Sequence, residues 1–177
     1  MTRGQIAVFC SASTKIDPKY YVAAREMIHA LHALGYSFIS GGGDVGIMGA
    51  IGRAATECGA RHVGVLPHFM KGLEYPGLSE VVWTDTMASR KEYMRKDSCA
   101  AIALPGGIGT IDEFDETHTL LKLRQYHGKL FMLNVDGFFD PYVALLNHLV
   151  KTGMMEKADL DLICIVRTVE ELSEYLR

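Results

Sequence analysis

Apolar runs too short for helices alternate along the chain with longer stretches in which apolar positions recur every three or four residues. The short runs are Gln5–Cys10, Ser37–Ile39, His62–Leu66, Val81–Thr84, Ala100–Leu104, Leu130–Leu133 and Leu162–Val166, and their length and composition predict strands. Between the first two, Tyr20, Ala24, Met27, Ile28, Leu31 and Leu34 share one side of a helix, and Gly35 is suited to cap its end. A second helical pattern runs from Met87 to Ser98. Strands and helices in regular succession predict an α/β fold, a Rossmann-like parallel sheet with helices on both faces, as a single domain over residues 1–177. Ligands of such sheets bind beyond the carboxyl ends of the strands. The segments FCSAS, SGGGD, DTMASR and LPGGIGT all follow strands and are therefore expected on one edge.

The last of these carries the most chemistry. Pro105 ends a buried strand, Gly106, Gly107 and Gly109 permit close backbone approach, and Thr110 is read as the opening of a helix. A helix start offers unpaired N–H groups and the positive end of the macrodipole, which favours an anion such as phosphate. Four acids follow, Asp112, Glu113, Asp115 and Glu116. Thr110 and Glu113 fit a T-x-x-E capping box, which needs no ligand. That box leaves unexplained the three neighbouring glycines and the second glycine-rich segment, Ser40 to Gly52. Neither segment is a Walker A loop, since no Gly-Lys-Ser/Thr follows. A phosphate beside four carboxylates needs cations, because each like-charge contact at 4 Å costs roughly 4 kcal/mol at an effective dielectric of 20. Arg90, Lys91 and Arg95 on the second helix can supply them, although an Arg-Lys pair is also what a solvated helix face looks like.

Composition narrows the classes. The 177 residues are 49% hydrophobic with a formal charge of −3, which gives no basic footprint for nucleic acid. No run of about 18 apolar residues could span a bilayer, so no membrane partner is expected. The N-terminus enters a strand without a small-residue cleavage site, and the four cysteines are scattered without C-x-x-C spacing. A cytoplasmic protein with reduced thiols, each a small core residue, is expected. The seven histidines form no metal-ligand pattern.

FCSAS, GGGDVGIMG, RHVGVLP, RKEYM, ALPGGIGTIDE and LNVDGFFD together resemble the LOG ("Lonely Guy") family, cytokinin riboside 5′-monophosphate phosphoribohydrolases that are often mislabelled lysine decarboxylases. The PGGxGTxxE signature is complete at Pro105–Glu113. Of M-H-x-R-K-x-x-M the chain keeps Met87, Arg90, Lys91 and Met94 but has Ala88 at the His position, and Leu121-Lys122-Leu123 replaces a common Trp-Ala-Gln. The resemblance implies hydrolysis of a nucleoside 5′-monophosphate, AMP or an N6-modified AMP, to free base and ribose 5-phosphate. It also implies a homodimer or higher homo-oligomer, for which Phe114, Leu120 and Leu121 offer apolar surface. Arg90 and Glu113 would be the catalytic pair. Substrate contacts would come from Gly43, Met87, Lys91, Gly106, Gly107, Gly109, Thr110 and Glu116, with no metal or organic cofactor.

These assignments suit the chemistry. Breaking an N-glycosidic bond develops positive charge on the ribose and negative charge on the base, so it needs a carboxylate near C1′ and a cation near the base. Amino-acid decarboxylation is excluded on size and on the lack of a recognisable pyridoxal-phosphate lysine. The alternative from another class is a non-catalytic carrier of a phosphorylated ligand such as molybdopterin. Such a protein would keep the glycine loops without needing Arg90 and Glu113.

Overall fold

The computed structural model describes residues 3–177. Strands β1 (Gly4–Phe9), β2 (Tyr36–Ser40), β3 (His62–Pro67), β4 (Glu80–Thr84), β5 (Ser98–Ala103), β6 (Lys129–Leu133) and β7 (Ile163–Val166) coincide with the seven apolar runs to within a few residues. They form one sheet in the order β4-β3-β2-β1-β5-β6-β7, with every pairing parallel. The chain steps outward from β1 to β4, then returns to place β5 on the other side of β1. Connections on the two sides therefore leave the sheet in opposite directions at β1 and β5, and this reversal opens a crevice at their carboxyl ends. Across it the Ser11 N–H donates to the Pro105 carbonyl at 3.3 Å.

Helices α1 (Pro18–Ala33), α2 (Gly46–Cys58), α3 (Met87–Lys96), α4 (Ile108–Lys122), α5 (Asp140–Lys151), α6 (Lys157–Leu160) and α7 (Val169–Leu176) cover both faces. Alternation along the strands divides the core. Ile6, Val8 and Phe38 face Met27, Ile28 and Leu31 of α1, Ile47 and Ile51 of α2 and Leu172 of α7. Ala7, Phe9, Ile39 and Val65 face Met94 of α3, Phe114 of α4, Leu146 of α5 and Leu160 of α6. The first helix begins as its sequence dictates: Asp17 caps it by accepting the Lys19 N–H at 3.0 Å, and Pro18 fits the first turn, where no N–H partner exists.

Several expectations are corrected. The helix expected to reach Ser98 ends at Lys96, because Ser98 already pairs with Gln5 as the first residue of β5. Phe114 is 2% exposed and sits edge-on to Tyr142, so it is core rather than spare surface; Leu120 and Leu121 pack partly buried on the same cluster. Cys10 is buried and Cys58 and Cys164 half-buried, but Cys99 is exposed. It lies where the register of β1 on β5 shifts, and its thiol donates to the Gln5 carbonyl at the amino-terminal edge of the sheet. No helix among the described residues is long and apolar enough to cross a membrane.

Candidate active site

A cavity of about 550 Å³ occupies the crevice. Its walls come from the residues just past β1 (Cys10, Ser11), the loop after β2 (Gly41, Gly43), the segment carrying Met70, Gly72, Leu73 and Glu74, helix α3 (Met87, Arg90), and the N-cap and first turns of α4 (Gly107, Gly109, Thr110, Asp112, Glu113). One side is apolar, from Met48, Leu66, Met70 and Leu73; charge is concentrated where α3 meets α4.

Arg90 and Glu113 form the centre of that charged side. Arg90 Nη1 donates to Glu113 Oε1 at 2.7 Å, and its Nε donates to the Val65 carbonyl at 2.9 Å. Both residues are more than nine-tenths buried. Burial pushes the Glu113 carboxyl up from its ordinary value, and the Arg90 guanidinium opposes that rise. Nη2 of Arg90 points at Gly41, where a Cβ would overlap it and would crowd Met48 Sδ at 2.8 Å. A residue without a side chain is therefore required at 41 for the guanidinium to lie where it does. Behind this loop, Ser40 Oγ accepts the Gly42 N–H at 3.2 Å and lies 2.8 Å from His62 Nε2. Burial lowers His62 to about 4.

The second loop differs from its expected form. Helix α4 opens at Ile108 with Gly107 as N-cap and no side-chain cap, so the Thr110–Glu113 capping box is not formed. Thr110 lies inside the first turn, its hydroxyl against Gly106 where a Cβ would overlap it, and Glu113 turns to Arg90 instead. The pairing with a buried guanidinium outweighs a local cap. As a result the N–H groups of Ile108, Gly109 and Thr110 have no acceptor among the described residues, and Gly107 and Gly109 face open space. Helix α2 behaves oppositely: its Ile47 and Met48 N–H groups already donate to the Ser11 carbonyl, at 2.9 and 3.4 Å.

A buried acid–guanidinium pair beside an uncapped helix start is joined by similarity to known proteins. Residues 48–176 match the family described as "Possible lysine decarboxylase". The probable cytokinin riboside 5′-monophosphate phosphoribohydrolase LOGL5 of Oryza sativa subsp. japonica is 36% identical over 170 residues, which is 95% of this chain and 69% of that protein. The cytokinin riboside 5′-monophosphate phosphoribohydrolase of Mycobacterium tuberculosis is 35% identical over 168 residues, 94% and 89% of the two. The chain belongs to the LOG family. Among solved structures, the molybdenum cofactor carrier protein of Chlamydomonas reinhardtii matches with a TM-score of 0.75 over 98% of this chain and 95% of that one, at 18% identity. The molybdenum cofactor binding protein of Rippkaea orientalis matches with a TM-score of 0.74 over 99% and 96%, at 20% identity. At those identities the likeness is one of fold.

The remaining residues expected at the site divide by place. Met87, Gly43, Gly107, Gly109 and Thr110 line the cavity with Arg90 and Glu113. Lys91, Gly106 and Glu116 do not. Lys91 lies 2.9 Å from Asp112 and 2.5 Å from Glu116, and Arg95 bonds Glu116 at 2.7 Å. Burial would raise the Glu116 carboxyl, but Lys91 and Arg95 outweigh it and hold it below its ordinary value. Met94 is core, 1% exposed. The acidic helix is thus neutralised by its own ladder to α3, with Asp115 bonded to the Tyr142 hydroxyl. The expected site residues leave out Cys10, Met48 and Leu66, which lie inside the LOG motifs, and Leu73 and Glu74, which lie outside them, although all five line the cavity. Cys10 could have been found from its place just past β1; Glu74 lies in an irregular segment with no periodic signal. Among the described residues no group of three or more His, Cys, Asp or Glu could hold a metal.

Proposed function

We propose that this LOG-family chain is a nucleoside 5′-monophosphate phosphoribohydrolase, cleaving AMP or an N6-modified AMP to free base and ribose 5-phosphate. The observation that carries it is the buried Arg90–Glu113 pair in the same cavity as the unpaired amides of α4. Those amides suit the 5′-phosphate, since helix dipole and free donors act together. With the phosphate held there, Glu113 faces the ribose, the apolar wall takes the base, and Arg90 stands beside the glycosidic bond. As that bond breaks its electron pair leaves with the base, and Glu113 stabilises the oxocarbenium-like sugar. The water oxygen bonds C1′, one of its protons remaining on the new hydroxyl and the other ending on the departing base nitrogen. Arg90 stabilises the base's charge before that proton arrives.

A carrier of a phosphorylated ligand has the fold neighbours in its favour, but binding alone gives no reason to bury an acid against a guanidinium. The test is release of free base from a panel of monophosphates, including N6-isopentenyl-AMP. Glu113→Gln should cut turnover about a hundredfold or more, equivalent to about 3 kcal/mol. Gln keeps an oxygen for the Arg90 Nη1 bond but leaves the guanidinium charge uncompensated, which costs up to about 3–5 kcal/mol of stability, so turnover is compared per folded protein. If no monophosphate yields base while a phosphorylated ligand binds, the carrier is the correct reading. The family resemblance also supports a homodimer, which light scattering at micromolar concentration would show by a doubled mass.

A further inference from the structure

Four carboxylates line the cavity, and three of them are matched. Asp44 is bonded to Arg53 at 3.0 Å, Asp112 to Lys91 at 2.9 Å and Glu113 to Arg90 at 2.7 Å. Glu74 alone has no cationic partner among the described residues. It sits on the strap between the short 3-10 turn His68–Met70 and β4, held to the loop after β2 by two backbone bonds, Asp44 N–H to the Leu73 carbonyl at 3.0 Å and Tyr75 N–H to the Gly42 carbonyl at 2.8 Å. These bonds set Glu74 directly opposite Gly43 in an antiparallel bridge, so the two share a face. Gly43 has no side chain, which leaves that face of the pair to Glu74. One carboxylate oxygen, Oε2, accepts the Gly72 N–H at 2.6 Å; Oε1 has no donor among the described residues. The neighbour in sequence, Leu73, belongs to the apolar wall.

We propose that Glu74 is a specificity residue that accepts a hydrogen bond from the exocyclic amino group of a 6-aminopurine whose ring lies on the apolar wall. The inference rests on the phosphoribohydrolase reading and adds how the base is chosen. An ionised carboxylate only accepts, so it pairs with an N–H and repels a carbonyl oxygen. A 6-amino base, including one alkylated once on that nitrogen, offers such an N–H; a 6-oxo base offers an acceptor. A single unoccupied oxygen matches a single donor. Discrimination by an unpaired or opposed polar contact exceeds what an apolar wall alone achieves.

The experiment compares AMP and IMP as substrates of the full-length wild-type protein and Glu74→Gln, with equilibrium binding of both nucleotides alongside. Gln keeps an oxygen for the Gly72 N–H, so the strap keeps its anchor, and adds a donor that suits a 6-oxo group. The AMP-over-IMP preference in kcat/KM should fall at least about tenfold in Glu74→Gln, mainly through AMP. A parallel loss for both nucleotides, or a ratio unchanged within about twofold, overturns the base contact and leaves Glu74 as a strap anchor. If the wild type cleaves nothing but binds AMP, the binding ratio still reads the contact, so a failed hydrolase and a failed base contact are told apart. A wild type that neither cleaves nor binds AMP overturns both.

Discussion

The loops after β2 and β5 are made of the same ingredients, adjacent glycines between a buried strand and a helix, three in the first and two in the second, yet they present opposite things to the cavity. The loop after β5 leaves the first amides of α4 without acceptors. The loop after β2 leads into a helix whose first amides are already bonded to the Ser11 carbonyl, and its contribution is a bare surface at Gly41 against which the Arg90 guanidinium lies. One loop offers unpaired donors and the other seats a cation. Glycine spacing is blind to that difference, because what a helix start offers depends on which strand end lies in front of it. Here Ser11, just past β1 and between the two loops, turns its carbonyl to α2 and its N–H to Pro105.

The contrast can be broken at either loop. Gly41→Ala should have the largest effect. The new Cβ meets the ends of two flexible side chains, so the fold gives way by moving Arg90 off Glu113 and the Val65 carbonyl. Turnover should drop about a hundredfold, approaching the loss in a variant of Arg90 itself, with the melting temperature moving much less. Steady-state kinetics beside a thermal melt would check this, and unchanged turnover would show that the guanidinium does not act from that seat.

The support behind the same loop predicts a pH effect. His62 titrates at about 4 in the fold against 6.5 ordinarily, so between those values the unfolded chain binds the extra proton. Its stabilising contribution is complete above about pH 6.5 and is lost as pH falls to about 4, by about 3 kcal/mol in all. Glu113, raised by burial, acts in the opposite sense at pH above its ordinary 4.5, favouring the acid side. Denaturant titrations of wild type and His62→Gln across this range should differ in slope by the His62 part alone; equal slopes would refute a neutral buried ring.

At the other loop, Gly109→Asp puts a carboxylate where the phosphate is expected, in open space that accepts a side chain. An acid in a first helical turn favours the helix, so the melting temperature should hold or rise while KM for a monophosphate rises about tenfold. A KM that stays put would mean the anion lies elsewhere. Smallest of all is Glu116→Gln. It loosens the ladder outside the cavity and leaves the buried Arg95 without its ion partner, so a stability loss of about 1 kcal/mol or more is expected with KM unchanged within about twofold. A larger KM change would return Glu116 to the substrate.

The sequence alone determined the strands, because all seven are short apolar runs bounded by polar turns, the inner five mostly buried and the edge strands β4 and β7 half-covered. It also marked Arg90 and Glu113, through motifs whose spacing is local. Their meeting is not local: it requires α3 and α4, 23 residues apart at the pair, to lie side by side below one sheet edge. Only that packing showed that Glu113 serves a guanidinium rather than a cap, and that Lys91 and Glu116 neutralise one another outside the cavity. Only it brought Glu74 and the apolar wall from an irregular strap to face the glycine loop. Periodicity records which way a residue faces within its own element; which element then stands opposite is decided by strand order and side-chain volume, which no single stretch of chain contains.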